Sequence, residues 1–151
     1  MKNILLLMLM AGAISFCTAQ KLTMDKVPSA VASAFKQKFP NGSQPGWSKE
    51  GKESFEVEFF NGKKRQSALF DATGKWMETE TEINYNAVPG KVQRAFETEF
   101  EGYQVQEVYE VETPDKAINY EITTFKGVKN YEVLYSAKGE LLKKEEGRVN
   151  E

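Results

Sequence analysis

Apolar residues recur at three- and four-residue spacing in two segments of the chain. In the first segment, Val31, Ala34, Phe35 and Phe39 follow Pro28 and would share one face of a helix. The second segment, sixty-one residues later, has the same pattern at Pro89, Val92, Ala95, Phe96 and Phe100. Proline suits the first turn of a helix because its missing N–H needs no partner there. The pattern therefore predicts two amphipathic helices.

After each helical segment the apolar spacing changes to two. Phe55, Val57 and Phe59 alternate with Glu56 and Glu58. Later in the chain the alternating residues are Tyr120, Glu121, Ile122 and Thr123. Such alternation is typical of strands with one buried face and one face in water. The dipeptide at positions 61–62, Asn-Gly, accepts positive φ at both residues and predicts a hairpin that joins strands at residues 55–60 and 65–70.

Turn sequences between these segments predict four further strands. A first strand is expected at residues 47–50 and again at Gln104–Glu112, and a last strand at Trp76–Glu82 and again at Leu141–Glu146. The predicted fold class is α+β: a tandem repeat of a helix followed by about four antiparallel strands, with the helices packed on one face of the sheet or sheets. The two copies would span residues 20–83 and 84–151 and form one compact domain.

The first nineteen residues have the pattern of a secretory signal peptide. Lys2 precedes an apolar run at residues 4–16, and small residues lead to Ala19, after which we expect cleavage. The run is shorter than the ~20 residues that a membrane span requires. An alternative is a lipoprotein acylated at Cys17, although Phe16 disfavours it because the residue before such a cysteine is normally small. Either way, the expected location is the periplasm or the outside of the cell.

Cleavage after Ala19 would change the chemistry and the charge of the protein. The chain has one cysteine, which would be removed, and the net charge would change from −2 to −3 with the loss of Lys2. A mildly acidic protein has no field that attracts nucleic acid or an anionic membrane. No later segment is apolar enough to span a membrane. We therefore expect neither nucleic acid nor a membrane as a partner.

The composition also argues against the common kinds of active site. The chain has no histidine, which excludes the usual general base, and no cysteine after cleavage, which excludes thiol chemistry. The remaining candidates are carboxylates that share one face of a strand: Glu56 with Glu58, and Glu78 with Glu80 and Glu82. Charged residues are expected on the water-exposed face of any strand with this alternation, whether or not they have a function. The sequence predicts no catalytic residues, no cofactor and no metal site.

Aromatic residues near these carboxylates suggest a surface that binds a partner. Phe60 has the strand parity of Glu56 and Glu58, and Trp76 has the parity of Glu78 and Glu80. The predicted partner-binding residues are Trp47, Phe60, Trp76, Glu56, Glu58, Glu78 and Glu80. An aromatic patch inside an acidic surround suits a partly basic protein or peptide, since exposed aromatic residues dominate protein interfaces.

The sequence resembles a known bacterial family. The segment "Val-Pro, then Val, then Ala-Phe, then Phe-Pro" at residues 27–40, the "Phe-Glu-Val-Glu-Phe" at 55–59 and the "Leu-Phe-Asp-Ala-Thr-Gly-Lys-Trp" at 69–76 are similar to the PepSY-like, β-lactamase-inhibitor-like periplasmic proteins. The resemblance covers nearly all of the chain after residue 19. It implies a helix-plus-antiparallel-sheet repeat and a concave sheet surface that grips another protein.

Three functions are compatible with these observations. The first is a non-catalytic binding protein, in one form an inhibitor or regulator of an exported enzyme. The second is a structural or small-ligand-binding envelope protein that uses a groove between the two copies. The third is an enzyme built on carboxylates, which needs two of them to converge with shifted pKa values.

Overall fold

The computed structural model describes residues 20–147, so the predicted signal peptide and its cleavage site lie outside the described residues. Two helices, α1 (Ser29–Lys38) and α2 (Gly90–Glu99), are each preceded by a single 3-10 turn. The nine strands are β1 (Gln20–Leu22), β2 (Gly42–Glu50), β3 (Ser54–Asn61), β4 (Lys64–Asp71), β5 (Trp76–Glu82), β6 (Gln104–Glu112), β7 (Ile118–Lys126), β8 (Lys129–Ser136) and β9 (Leu141–Glu146). None of the helices between residues 20 and 147 is long and apolar enough to cross a membrane.

The predicted fold class is wrong. Instead of an α+β tandem repeat of helix and four strands, the described chain is mostly one nine-stranded antiparallel sheet with two short helices. The strands lie in the sheet in the order of the sequence, and β5 pairs directly with β6 from Thr79↔Glu112 to Glu82↔Tyr109. This pairing crosses the expected boundary at residue 83. It gives partners to backbone groups that would otherwise lie on two open sheet edges. The predicted domain division stays a prediction.

The two predicted helices are present at the expected positions. Pro28 and Pro89 immediately precede α1 and α2, and the N–H groups of Phe39 and Phe100 close the last helical turns. In each helix the apolar positions point to the sheet, with Val31 and Phe35 buried in α1 and the corresponding positions 92 and 96 buried in α2.

The predicted strands are also present, with two differences at the first edge of the sheet. The β3–β4 hairpin turns at residues 61–64 as expected, and the last strands have the expected bounds. However, β2 begins five residues before the predicted start at Trp47, and the three-residue strand β1 was not predicted. The early part of β2 is irregular, with a register shift between Ser43 and Gly46 and a positive φ of 53° at Gln44.

Both helices pack on the same face of the sheet, over two separate apolar clusters. Under α1, the ring of Phe35 lies 5.0 Å from that of Phe59 and 5.5 Å from that of Trp47. Under α2, the ring of Phe100 lies 5.3 Å from that of Phe96 and 5.7 Å from that of Tyr131. We call this face of the sheet the helix face. It contains the larger apolar side chains of the core.

Tight turns bring the sheet against the first turn of each helix. Gly74, between β4 and β5, and Gly139, between β8 and β9, both have φ of +85°. A Cβ atom at Gly74 would lie 2.7 Å from the carbonyl oxygen of Ala30, and one at Gly139 would lie 2.7 Å from the carbonyl oxygen of Lys91. Both turns therefore need glycine for its φ angle and for its lack of a side chain.

Candidate functional site

The face of the sheet opposite the helices is lined with carboxylates. The register places Glu56 of β3, Glu78 and Glu80 of β5, Glu121 of β7 and Glu132 of β8 on this side. We call this side of the sheet the carboxylate face, and these five residues the carboxylate cluster. Glu56, Glu78, Glu80 and Glu132 each raise the pKa of at least one other member, and three of them raise that of Glu121.

Aliphatic side chains separate the carboxylates on this face. Leu69 lies between Glu56 and Glu78, which are its cross-strand neighbours in β3 and β5. The same pairing sets Glu80 opposite Val111. Glu121 is opposite Leu134 in β8. The three aliphatic residues are 3–8% exposed. Cross-strand neighbours on one face are ~5 Å apart, so these apolar groups displace water from the carboxylates beside them.

Two of the carboxylates are buried as deeply as core residues. Glu80 is 9% exposed and Glu121 is 8% exposed. Both helices lie on the other side of the sheet, so within residues 20–147 only the side chains of neighbouring strands can hide these groups. Long side chains of adjacent strands lie close enough to shield such a group. The burial is unusual because glutamate is rarely buried without a charged partner.

Burial raises the pKa of every carboxyl in the cluster. It raises the pKa of Glu80 to about 8, that of Glu121 to about 9 and that of Glu132 to about 7, and the neighbouring carboxylates add to each increase. The pKa values of Glu56 and Glu78 are also raised, first by burial. An ionised carboxylate is disfavoured both by the loss of water and by other negative charges nearby. Glu80 and Glu121 therefore hold protons at neutral pH.

Serine hydroxyls donate hydrogen bonds to two carboxylates of the cluster. Ser67 Oγ donates to Glu80 at 3.1 Å, and Ser48 Oγ donates to Glu56 at 3.3 Å. Within residues 20–147, the buried side-chain atoms without a hydrogen-bond partner are Trp47 Nε1, Gln66 Oε1 and Asn130 Oδ1, and none of them belongs to the carboxylate cluster. Leaving a buried acceptor without a donor costs free energy.

The basic residues of the carboxylate face lie near its ends. Lys143 in β9 is the cross-strand neighbour of Leu134, forms an ion pair with Glu145 at 3.0 Å and lowers the pKa of Glu121. Arg65 in β4 lies 3.4 Å from Glu58 and 3.9 Å from Glu82, at the opposite side of the cluster.

Five of the seven predicted partner-binding residues lie on the carboxylate face. Phe60 is 41% exposed, as predicted for this residue. The predicted carboxylates on this face are Glu56, Glu58, Glu78 and Glu80. Trp47, by contrast, is 5% exposed and packs in the core under α1, so it is not part of an accessible surface. Whether any of these residues binds a partner stays a prediction.

The predicted orientation of Trp76 is wrong because β5 contains a bulge. Leu69 pairs with Glu78 and the next residue, Phe70, pairs with Trp76, so Met77 is an extra residue between them. The bulge turns Trp76 to the helix face, where the Nζ of Lys38 lies 3.4 Å from the centre of its ring. Its indole N–H donates to the carbonyl oxygen of Glu78 at 2.7 Å. An extra residue at a bulge reverses the alternation of side chains between the two faces, so counting every second residue along β5 assigned Trp76 to the wrong face.

Three residues of the carboxylate face were not predicted from the sequence: Glu121, Glu132 and Lys143. The alternation around Glu121 indicated that its side chain leaves the helix face, but nothing local showed that β7 lies next to β6 and two strands from β5. In residues 20–147, no three carboxylates are close enough together to hold a metal ion. The arrangement can instead attract a cationic group, or exchange protons with solvent.

These features define a class of protein: a single antiparallel sheet with two helices on one face and an acidic, partly buried surface on the other. The chain belongs to the family described as "Putative beta-lactamase-inhibitor-like, PepSY-like", which it matches over residues 14–47 and 53–143. No match was found among curated proteins.

Two solved structures from Bacteroides are similar to the chain. One, described as "putative periplasmic proteins" from Bacteroides eggerthii, is 26% identical, with a TM-score of 0.72, over 80% of this chain and 88% of that chain. The other, a "BLIP-like protein" from Bacteroides fragilis, is 26% identical, with a TM-score of 0.66, over 81% of this chain and 86% of that chain.

Proposed function

We propose that the chain is a non-catalytic, periplasmic binding protein that docks a basic surface of another exported protein onto its carboxylate face. The observation that carries this proposal is the segregation of the sheet into a helix face and a carboxylate face. Clustered carboxylates on one face favour a positively charged partner through electrostatic complementarity. Family membership and the name of the Bacteroides fragilis neighbour support a role as inhibitor or regulator of an exported enzyme.

The rim of the carboxylate face supplies the kind of contact that such a partner needs. Phe60 is an exposed aromatic side chain beside Arg65, its cross-strand neighbour. The carboxylate of Glu58, whose side chain is 59% exposed, also lies at this rim. Aromatic side chains are enriched in protein interfaces, and accessible charged groups are typical of an interface rim.

A periplasmic location is part of the proposal. The signal-peptide pattern of residues 1–19 supports it, and so does the description of the Bacteroides eggerthii neighbour. Cleavage after Ala19 would leave Gln20, the first residue of β1, as the mature N-terminus. Mass spectrometry of the protein from the periplasmic fraction tests this, and an acylated Cys17 at the N-terminus would contradict it.

The binding proposal is tested with residues 20–151 as bait in a periplasmic extract. Retained proteins are identified by mass spectrometry, produced separately and titrated against the purified bait. We expect a partner with an excess of Lys and Arg on its binding surface, whose dissociation constant increases at least about tenfold when the bait carries Phe60→Ala and Glu58→Lys.

The matched control carries Val128→Ala and Glu101→Lys, again one apolar residue changed to alanine and one glutamate changed to lysine, at exposed positions outside the carboxylate face. Val128 is 74% exposed at the tip of the β7–β8 hairpin. This control should bind the partner as the unmodified chain does. If both double variants bind equally well, the carboxylate face is not the docking surface. If no retained protein binds again in purified form, the protein-binding function is wrong, and a structural or small-ligand role replaces it.

A further inference from the structure

Two Asn-Gly dipeptides lie in the described chain, and the fold holds them differently. The first is Asn41-Gly42, at the start of β2, and the second is Asn61-Gly62, at the turn of the β3–β4 hairpin. Asn41 and Asn61 are both exposed. An asparagine before glycine is open to attack on its own side chain, because glycine has no Cβ to shield the backbone nitrogen that follows. The surroundings of the two glycines therefore decide which asparagine reacts.

Little holds Gly62 in place at the tip of its hairpin. The ladder between β3 and β4 ends with the pair Asn61↔Lys64, so Gly62 lies outside it. Among the turn and loop hydrogen bonds of residues 20–147, none is donated by the N–H of Gly62. A Cβ atom at Gly62 would have no other atom within 4 Å. Turning this nitrogen towards the Asn61 side chain therefore breaks only the last pair of the hairpin, which is exposed to water.

Gly42, in contrast, is held by a hydrogen bond and by packing. Its N–H donates to the carbonyl oxygen of Phe39 at 2.9 Å. A Cβ atom at Gly42 would lie 2.9 Å from the ring of Phe35 and 3.1 Å from the same carbonyl oxygen. Turning the Gly42 nitrogen towards the Asn41 side chain would break this hydrogen bond and move the glycine against the core under α1. Both losses raise the barrier to attack at Asn41.

We infer that Asn61 is a site of spontaneous deamidation and that the fold protects Asn41. The backbone nitrogen of Gly62 forms a bond to Cγ of Asn61, and the side-chain amide leaves as ammonia, together with the proton that the nitrogen loses. The product is a five-membered succinimide ring. Water then breaks one of the two carbonyl–nitrogen bonds of the ring, which gives aspartate or isoaspartate. The whole reaction consumes water and releases ammonia, and it needs no oxidant or reductant.

The modification changes the exposed rim beside the hairpin. Either product adds a negative charge next to Phe60, an exposed residue of the rim described above. Isoaspartate also adds a methylene group to the backbone of β3 at its last pair with β4. The reaction does not depend on a binding partner, since it requires only the turn and water.

The two sites can be followed in one experiment, because trypsin separates them. Cleavage after lysine yields residues 39–49, which contain Asn41, and residues 53–63, which contain Asn61. The purified chain of residues 20–151 is incubated in warm neutral buffer and digested briefly at intervals. Mass spectrometry then measures the replacement of the amide by a carboxyl group in each peptide. In the folded chain, residues 53–63 should be modified at least about fivefold faster than residues 39–49.

Incubation in guanidinium chloride is the control for the fold. Both asparagines precede glycine, so the unfolded chain should be modified at similar rates in the two peptides. Gly62→Ala, which shields the attacking nitrogen with a Cβ atom, should slow the modification of residues 53–63 and leave that of residues 39–49 unchanged.

Three results would overturn the assignment of Asn61. The first is modification of Asn41 in the folded chain as fast as that of Asn61, or faster. The second is a difference between the two peptides that persists in guanidinium chloride, because such a difference would not come from the fold. The third is an unchanged rate at Asn61 in the Gly62→Ala variant, since the Gly62 nitrogen would then not be the attacking group.

Discussion

At the scale of single residues, the ionisation of Glu121 opposes folding. Burial raises its pKa to about 9 in the folded chain, from an ordinary value of 4.5. Between these values the folded state binds more protons than the unfolded state. The free energy of unfolding therefore falls as pH rises through this range. The stabilising contribution of the protonated group is fully present at the acidic end of this pH range and is lost at its basic end.

Glu121→Gln should remove part of this pH dependence. Glutamine stays neutral, so it avoids the cost of ionising a buried group at high pH. Thermal unfolding followed by circular dichroism should show a Tm for the unmodified chain that is lower at about pH 9 than at about pH 5. The variant should raise the Tm at about pH 9 by roughly 3–8 °C and change it little at about pH 5. Glu101→Gln is the exposed control, and an equal gain from that control would contradict the role assigned to burial.

Phe35 makes the largest set of aromatic contacts under α1. Its ring lies within 5.8 Å of those of Phe39, Trp47 and Phe59. Phe35→Ala should reduce the free energy of unfolding by about 3–5 kcal/mol, since it leaves a cavity between the helix and β2 and β3. Urea denaturation measures this change. Val128→Ala, at a 74% exposed position, should stay within about 0.5 kcal/mol of the unmodified chain.

At the scale of elements, the turn before β5 fixes how closely the sheet approaches α1. Gly74→Ala would place a Cβ 2.7 Å from the carbonyl oxygen of Ala30, whereas Gly62→Ala, also at positive φ, has no atom within 4 Å. Both variants bear a conformational cost of about 1–2 kcal/mol, and only Gly74→Ala adds a backbone clash. We therefore expect Gly74→Ala to be the less stable of the two in urea denaturation. Equal losses at the two sites would show that the turn moves away from the helix without cost.

The elements themselves were the most predictable part of the fold. The positions of α1 and α2 follow from the spacing of a few apolar residues after Pro28 and Pro89, and the β3–β4 hairpin follows from its Asn-Gly turn. The bulge at Met77 was not predictable in the same way, because its cause is the register between β4 and β5 and not the residues of β5 alone. A single extra residue was enough to move Trp76 to the helix face.

At the scale of the whole molecule, the pairing of β5 with β6 makes one sheet of the strands that lie under the two apolar clusters. The cluster under α1 includes Trp47 and has Trp76 packed against it, and the cluster under α2 includes Tyr120 and Tyr135. Because β5 and β6 share backbone hydrogen bonds from residue 79 to residue 112, we expect the two clusters to unfold together.

The distribution of chromophores makes this expectation measurable. Both tryptophans lie before residue 77, and all six tyrosines lie between residues 85 and 135. Selective tryptophan fluorescence reports on the first cluster, and second-derivative tyrosine absorbance reports on the second. In urea, the two signals should give coincident transitions with the same midpoint. Two separate midpoints would show that the β5–β6 pairing does not couple the clusters.

The sequence by itself determined the local structure: helices where apolar residues follow a period near 3.6, strands where the period is two, and turns at glycine. It also determined that the carboxylates of β3 and β5 point away from the core side of these strands. Only the tertiary structure decided that the strands form one continuous sheet in place of a repeat, that Trp76 faces the helices, and that Glu121 and Glu132 lie near Glu80. The physical reason is the distance along the chain over which each kind of interaction acts. Periodicity and turn chemistry act between residues a few positions apart, whereas strand pairing, register and burial depend on backbone partners many residues away in the chain.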